Sequence, residues 1–383
     1  MWFRYMAIKD IFCQDKAIGV LEQGFISNRS AHAYIFAGMD GVGKFKTAFE
    51  WGKLLLCKKP IIKKNFADCC GKCPSCISFE GGAHSDFAHI YKELLEWTKE
   101  GKDKTTPVKM PIDVIREFLI NKVSIRPSLG ERKVFVISEG EKLNKESQNA
   151  LLKVLEEPPG YCTIILLCTQ PENLLPTIRS RCQIVRFGPV AEEKIIEFLN
   201  KDGLDDNKAK YFARLSAGSL GSACRWAELE RNDAKLYQTS KELTGELAIC
   251  RYADSLMLAD KFLKESKALG QLWSKIAADV SKTDVNRKAH KTYVAIIISV
   301  LSDCIRLKES AGKKIVNFEL EEKIEKMSQK FTTEQLCLGI RAAYEALERI
   351  DSSVNEKLIY HPLLLNVLST DTIDFLQRQL SDV

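Results

Sequence analysis

The sequence predicts an α/β fold through its first half, with a mostly parallel sheet covered on both faces, followed by an all-α second half. Three observations carry this. Short β-branched runs alternate with helical patterns up to about residue 187. A glycine-punctuated loop joins the first run to the first long helix. From about residue 246 onward the apolar residues recur at helical spacing. At 383 residues the chain is long enough for two or three domains. Its composition, 45% hydrophobic and 28% charged, excludes disordered and collagen-like classes. The net charge of +6 reads as a solvated basic surface, well below that of a dedicated nucleic-acid binder.

The opening Met1-Trp2-Phe3-Arg4-Tyr5-Met6 is too short and too quickly polar for a signal peptide. The longest apolar run, Tyr293 to Leu301, is well short of the ~20 residues that span a bilayer. Thirteen cysteines without a secretory signal point to a reducing compartment, where clustered cysteines mean metal more often than disulfide. Cytoplasm is the expected location, with no membrane role.

Residues 8 to 29 read as an amphipathic helix carrying Ile18, Leu21, Phe25 and Ile26 on one face. A strand at 33–37 runs into Gly38-Met39-Asp40-Gly41-Val42-Gly43-Lys44-Phe45, and a helix from Lys44 to Leu56 buries Ala48, Trp51, Leu54 and Leu55. Gly38, Gly43 and Lys44 stand at G-x-x-x-x-G-K spacing, with Gly41 between them. Such a loop curls its backbone N–H groups around phosphate oxygens and meets the phosphates with its lysine. Its next residue should be a Ser or Thr that ligates Mg²⁺, but Phe45 stands there, and a phenyl ring offers a hard cation no oxygen. Thr47 is no substitute, because two residues along a helix is about 200° around its axis.

Beyond a lysine-rich stretch, Cys70-x2-Cys73-x2-Cys76 places three thiolates in one tight turn containing Gly71 and Pro74. Cys57 can supply the fourth ligand of a tetrahedral Zn²⁺ site; Cys69 is an alternative to Cys70, though only Cys70 gives the regular double CxxC. Four soft ligands leave no position for water, so the site is structural.

His84 to Ile90 reads as a loop entering a strand, and His84 as a structural hydrogen-bonding residue. The polar residues 92–109 read as a mobile loop, and Ile112 to Val123 as a helix. Lys133 to Ile137 is a buried strand. At its end an ATPase of this kind carries an Asp for the Mg²⁺ shell and a Glu for the attacking water. Here Ser138 takes the first place, while Glu139 retains the second. A helix from Lys145 to Leu155 stops at Pro158-Pro159. A strand from Thr163 to Cys168 follows, with Thr169 at its end where a γ-phosphate would sit, and a last strand covers Ile184 to Phe187. In the helical half, Leu256, Phe262 and Leu263 mark one helix, Val294 to Ile305 another and Leu336 to Ile350 a third, with Pro362 starting the last. No Gly-rich loop, Cys/His cluster or acid pair occurs there.

Together these residues resemble a bacterial DNA polymerase III clamp-loader subunit of the AAA+ class, closely over residues 8 to 225 and loosely beyond. Asn149-Ala150-Leu151-Leu152-Lys153-Val154-Leu155-Glu156-Glu157-Pro158-Pro159 and Thr177-Ile178-Arg179-Ser180-Arg181-Cys182 carry the resemblance, along with the cysteine cluster after the phosphate loop. It implies an AAA+ P-loop core with a zinc-binding insertion (1–188, zinc module 57–76), a small helical lid (189–245) and a helical collar for oligomerisation (246–383). The implied partners are gamma/tau and delta subunits, a sliding clamp, and primed DNA through the complex. Hydrolysing members keep the loop hydroxyl, an acidic run after the second strand and a lid arginine after Gly-Ser-Leu. This chain has Phe45, Ser138 and Gly221 at those places, with Arg225 one helical turn further on. Arg181, which in the family reaches a neighbouring subunit's ATP, is intact. That pattern resembles the delta-prime type, a non-hydrolysing stator without Mg²⁺-ATP chemistry of its own. The alternative is a hydrolysing gamma/tau-type subunit.

Overall fold

The computed structural model describes residues 11–64, 66–99, 108–277, 281–309, 314–352 and 355–369. Five strands form the central sheet: β1 (Ala33–Ala37), β4 (Phe87–Ile90), β5 (Lys133–Ile137), β6 (Cys162–Cys168) and β7 (Gln183–Arg186). Their order is β4-β5-β6-β1-β7 and every pairing is parallel. Register follows from the pleat. Ala33, Ile35 and Ala37 point into one buried layer with Phe135, Ile137, Ile164 and Leu166. Tyr34 and Phe36 point into the other, with Val134, Val136, Ile165 and Leu167. A central strand buried on both sides has no solvent-facing side, which is why these runs are almost wholly apolar, with Lys133 and Thr163 the exceptions near the starts of β5 and β6.

Helices cover the two layers. α1 (Asp15–Ile26) and α2 (Lys44–Leu56) lie on the Tyr34 side, where Trp51 makes edge contacts with Phe25 and Tyr34. α6 (Lys145–Glu156) lies on the other, with α4 (Ile112–Ile115), a π turn (Arg116–Ile120) and α5 (Asn121–Val123). The cysteine region holds two elements that sequence reading did not anticipate. They are a hairpin of β2 (Ile61–Lys63) and β3 (Phe66–Asp68), and α3 (Pro74–Glu80).

Several boundaries differ from expectation. α1 starts at Asp15 because Gln14 is spent elsewhere: its side chain donates to the carbonyls of Val42 (3.1 Å) and Gly188 (2.9 Å). Residues 8–10 of the expected helix lie outside the described residues. The stretch expected as a loop from 92 instead begins with a 3-10 helix, Lys92–Trp97, which buries Leu95; residues 100–107 lie outside the described residues.

The chain divides into two compact units, Met1–Ala191 with Gly218–Ser222, and Glu192–Ala217 with Ala223–Val383. The second is built from α8 (Glu192–Lys201), α9 (Asp206–Leu215), most of α10 (Leu220–Arg231), α11 (Leu236–Ile249), α12 (Ser255–Ile276), α13 (Lys282–Lys308), α14 (Glu321–Lys330), α15 (Thr333–Asp351) and α16 (Lys357–Leu368). α16 begins at Lys357, well before Pro362, which falls inside it. Packing sets that start: Ile359 and Tyr360 are buried, and the Tyr360 hydroxyl lies 3.2 Å from His290 Nδ1. Among the described residues no helix is long and apolar enough to cross a membrane.

Candidate functional site

The phosphate loop sits between the end of β1 and the start of α2, with Gly43 at the helix N-cap in a left-handed conformation (φ 105°). Gly41 also has positive φ (76°), and a Cβ there would lie 2.3 Å from Ser219 Oγ. The loop is closed by its own neighbours. Ser219 Oγ donates to the carbonyl of Asp40 (2.8 Å), and the Gly221 N–H donates to the carbonyl of Gly41 (2.8 Å). A Cβ on Gly221 would come within 2.8 Å of Gly41 Cα. This packing therefore leaves no room for a lid arginine at position 221. Arg225 lies further along α10, in the second unit, and has interactions of its own.

Lys44 is buried, and its ammonium donates to the carbonyls of Gly38 (2.5 Å) and Met39 (2.7 Å). Burial lowers its pKa, opposed by Asp40 and Glu141. The hydroxyl of Thr47 is likewise turned inward, donating to the Gly43 carbonyl at 3.0 Å.

Beside Lys44, where an oxygen should face a cation, the ring of Phe45 packs against His89 (centroids 4.5 Å apart), and His89 packs against Tyr91 (4.8 Å). His89 Nε2 lies 2.8 Å from Ser138 Oγ. Phe45 and Ser138, the two departures that remove magnesium ligands, thus meet through one imidazole. Burial pushes the pKa of His89 down to about 4, so near neutral pH the ring is uncharged. Sequence reading passed over His89; its position, aligned with Val136 on the strand preceding Ser138, was the available signal.

This imidazole makes a testable contribution. The unfolded chain binds a proton at His89 near pH 6.5, whereas the folded chain resists until about pH 4. Stability supplied by the neutral ring is therefore complete above pH 6.5 and drains away as pH falls toward 4. The loss is on the order of 3 kcal/mol. Urea unfolding across that window should show a shallower slope in His89→Gln than in the parent; identical slopes would remove the effect.

Glu139 adopts a left-handed backbone (φ 52°), and its carboxylate is paired with Lys142 (2.6 Å) and Lys92 (3.6 Å). Glu141 instead faces the loop lysine: its Oε1 accepts from Thr169 Oγ1 at 2.6 Å, and its buried Oε2 has no hydrogen-bond partner. Thr169 thus joins Glu141 rather than Glu139.

Arg181 follows α7 (Pro176–Arg179) and is partly exposed. Its guanidinium donates to the Thr177 carbonyl (3.0 Å) and pairs with Glu156 at the end of α6 (3.0 Å). Both family-like segments therefore meet in one ion pair.

Cys57, Cys70, Cys73 and Cys76 come together, their Sγ atoms all within 4.8 Å of one another. Tetrahedral sulfur ligation at about 2.3 Å requires Sγ–Sγ separations of this order. Cys57 closes α2, Cys73 caps α3 and Cys76 lies in its first turn, so two helix ends present three of the thiols, and the loop before α3 supplies Cys70. Burial opposes ionisation of Cys73, but N–H groups of Cys76 and Lys58 outweigh it and bring the thiol down to about 6. This donor set fits a metal ion. Cys69 is outside the cluster, and burial raises its thiol to about 11. The His84 ring bonds Ser75 Oγ (2.9 Å), which in turn donates to the Leu56 carbonyl (2.6 Å); this buried tie fixes α3 to the end of α2.

Residues 13–191 match the family described as DNA polymerase III, delta subunit, and residues 277–368 match the C-terminal domain of DNA polymerase III, delta subunit. The chain is 37% identical over 192 residues to the DNA polymerase III subunit delta′ of Pseudomonas aeruginosa, covering 50% of this chain and 53% of that one. It is 31% identical over 283 residues to subunit gamma of Buchnera aphidicola, covering 72% of each. It is 25% identical over 362 residues to subunit delta′ of Bacillus subtilis, covering 92% of this chain and 95% of that one. The match thus spans about half the length of the Pseudomonas relative and nearly all of the Bacillus one. With delta-subunit matches at both ends and these relatives across its length, the chain belongs to the family of DNA polymerase III clamp-loader subunits.

Proposed function

We propose that this chain acts in DNA replication as a delta-prime-like stator that does not hydrolyse ATP, while Arg181 completes the ATP site of a neighbouring subunit. The observation that carries the reading is the Phe45–His89–Ser138 cluster, which puts carbon and a neutral imidazole where magnesium chemistry needs oxygen. A closed loop supports it, since Lys44 spends its donors on the loop's own carbonyls. An arginine finger needs none of these groups. It stabilises charge developing on a phosphoryl group bound elsewhere and requires only its planar fork and a firm perch.

In this reading residues 1–188 form the AAA+ core, 189–245 the lid and 246–383 the collar. The partners are gamma/tau and delta subunits, a sliding clamp, and primed DNA reached through the complex, in the cytoplasm. Zn²⁺ occupies the four thiolates, holding structure rather than performing chemistry.

A hydrolysing gamma/tau role is the second reading. It is favoured by the retained Gly38, Gly41, Gly43 and Lys44 and by the 31% identity to a gamma subunit. ATP turnover by the purified chain with magnesium separates the two. A stator gives no turnover above background, and Lys44→Ala leaves that unchanged. Turnover abolished by Lys44→Ala would establish the hydrolysing role instead.

A further inference from the structure

The β2–β3 ribbon has no part in the nucleotide or arginine chemistry, yet its surface is unusual. All three residues of β2 are exposed, with Ile61 and Ile62 at 47% and 53%. β3 is the anchored strand: Ala67 is fully buried, and its N–H points at the carboxylate of Glu22 on α1 (3.4 Å). β2 therefore stands as the free outer strand. Lys58 and Lys59 precede it, Lys63 ends it, Lys64 enters the turn, and Lys72 follows in the cysteine loop; all five are exposed. None of the five forms an ion pair among the described residues, and Asp68 is the one acid between Cys57 and Cys76.

The cysteine cluster also sets where these charges stand. The backbone N–H groups of Lys58 and Lys59 favour the thiolates of Cys73 and Cys57, and Lys58 follows Cys57 directly in the chain, so the two lysines at the base stand beside the metal-ligand cluster. A loaded Zn(Cys)₄ centre carries a formal charge of about −2, which the lysines more than offset.

We propose that this ribbon is a contact surface for the phosphate backbone of duplex DNA, read without regard to sequence. Three features favour phosphate over an acidic protein partner. The cations are all lysine, point charges suited to any phosphate, with no arginine between Cys57 and Cys76. Protein–protein interfaces are depleted in lysine and enriched in arginine and aromatic residues. From Lys59 to Lys63 an extended strand covers about 13 Å, or roughly four base-pair rises, so the two lysine pairs can meet separate phosphates of one strand. A two-stranded ribbon is also slender enough to lie along a groove.

The test uses the full-length, metal-loaded chain and a fluorescein-labelled duplex of about 30 base pairs, titrated by anisotropy at several salt concentrations. In a variant with Lys58, Lys59, Lys63 and Lys64 all changed to Ala, affinity at low salt should fall about tenfold. The slope of log K against log salt should flatten by about 3. A control removing two exposed lysines of α14, Lys323→Ala and Lys326→Ala, should leave the slope near the parent's. Metal content measured on every variant shows that the ribbon is still folded. An unchanged slope in the ribbon variant with metal retained would overturn the proposal. So would equal flattening in the control, which would make the effect one of net charge. Normal DNA binding with loss of a partner subunit would assign the ribbon to an acidic protein, and would overturn it too.

Discussion

Replacing Cys73 and Cys76 with Ser should release one zinc ion per chain and unfold the segment from Cys57 to Glu80. Besides the Ser75 tie and the buried Ala67 and Phe79, local packing gives this segment little hold. All three residues of β2 are exposed, β3 contributes one fully buried side chain, and α3 is only seven residues long. Helices that short are marginal in water without tertiary support. Metal binding supplies that support, because ligation of a site absent from the unfolded chain is folding free energy. In zinc-finger peptides it amounts to about 10–16 kcal/mol. Even about 3 kcal/mol felt by the core through α2 would lower Tm by roughly 6–12 °C. Elemental analysis and calorimetry on the same preparation check both effects. Cys69→Ser is the control and should keep its metal, since Cys69 is outside the cluster. Parent protein purified without chelator and found free of zinc would refute the assignment.

Arg181→Ala should slow ATP hydrolysis at the neighbouring subunit's site by about a thousandfold, the lower range for arginine fingers, while the complex still assembles. The reasoning is geometric. Arg181 is partly exposed, and its two visible contacts, the Thr177 carbonyl and Glu156, are on its own chain. Both are surface contacts of modest strength, so exchanging Glu156 for a triphosphate costs little and gains a charge-assisted fork. Single-turnover hydrolysis by the reconstituted complex reports the loss, and sedimentation reports assembly. Arg181→Lys should not restore the rate, since an ammonium lacks the planar fork. Full turnover in the alanine variant would remove the finger from the mechanism.

Much of this protein was legible before any coordinates. β1 and β5 fall on the expected residues, β6 starts one residue earlier than expected, and β7 is shifted one residue toward the N-terminus at both ends. Apolar runs bounded by polar residues leave a buried strand little freedom to move its ends. The four cysteines could be named because thiolate spacing is a local property, and in the fold Cys70, not Cys69, joins the cluster. Where expectation failed, the deciding contact was distant in sequence. Pro362 was read as a helix start, but Tyr360 meets His290 seventy positions earlier, and the helix begins at Lys357 to bring it there.

The sequence by itself determined the sheet, the phosphate loop and its missing oxygens, and the metal-ligand set. These are written in periodicity and in residue types at short spacing. Only the tertiary structure decided what fills the space magnesium chemistry would use. His89, Phe45 and Ser138 come from three separate segments, and no one-dimensional pattern links them. Folding likewise chose Glu141 over Glu139 as the carboxylate beside Thr169 and Lys44. A left-handed backbone at Glu139 turns the chain at that point, and such a turn is fixed by packing rather than by local preference.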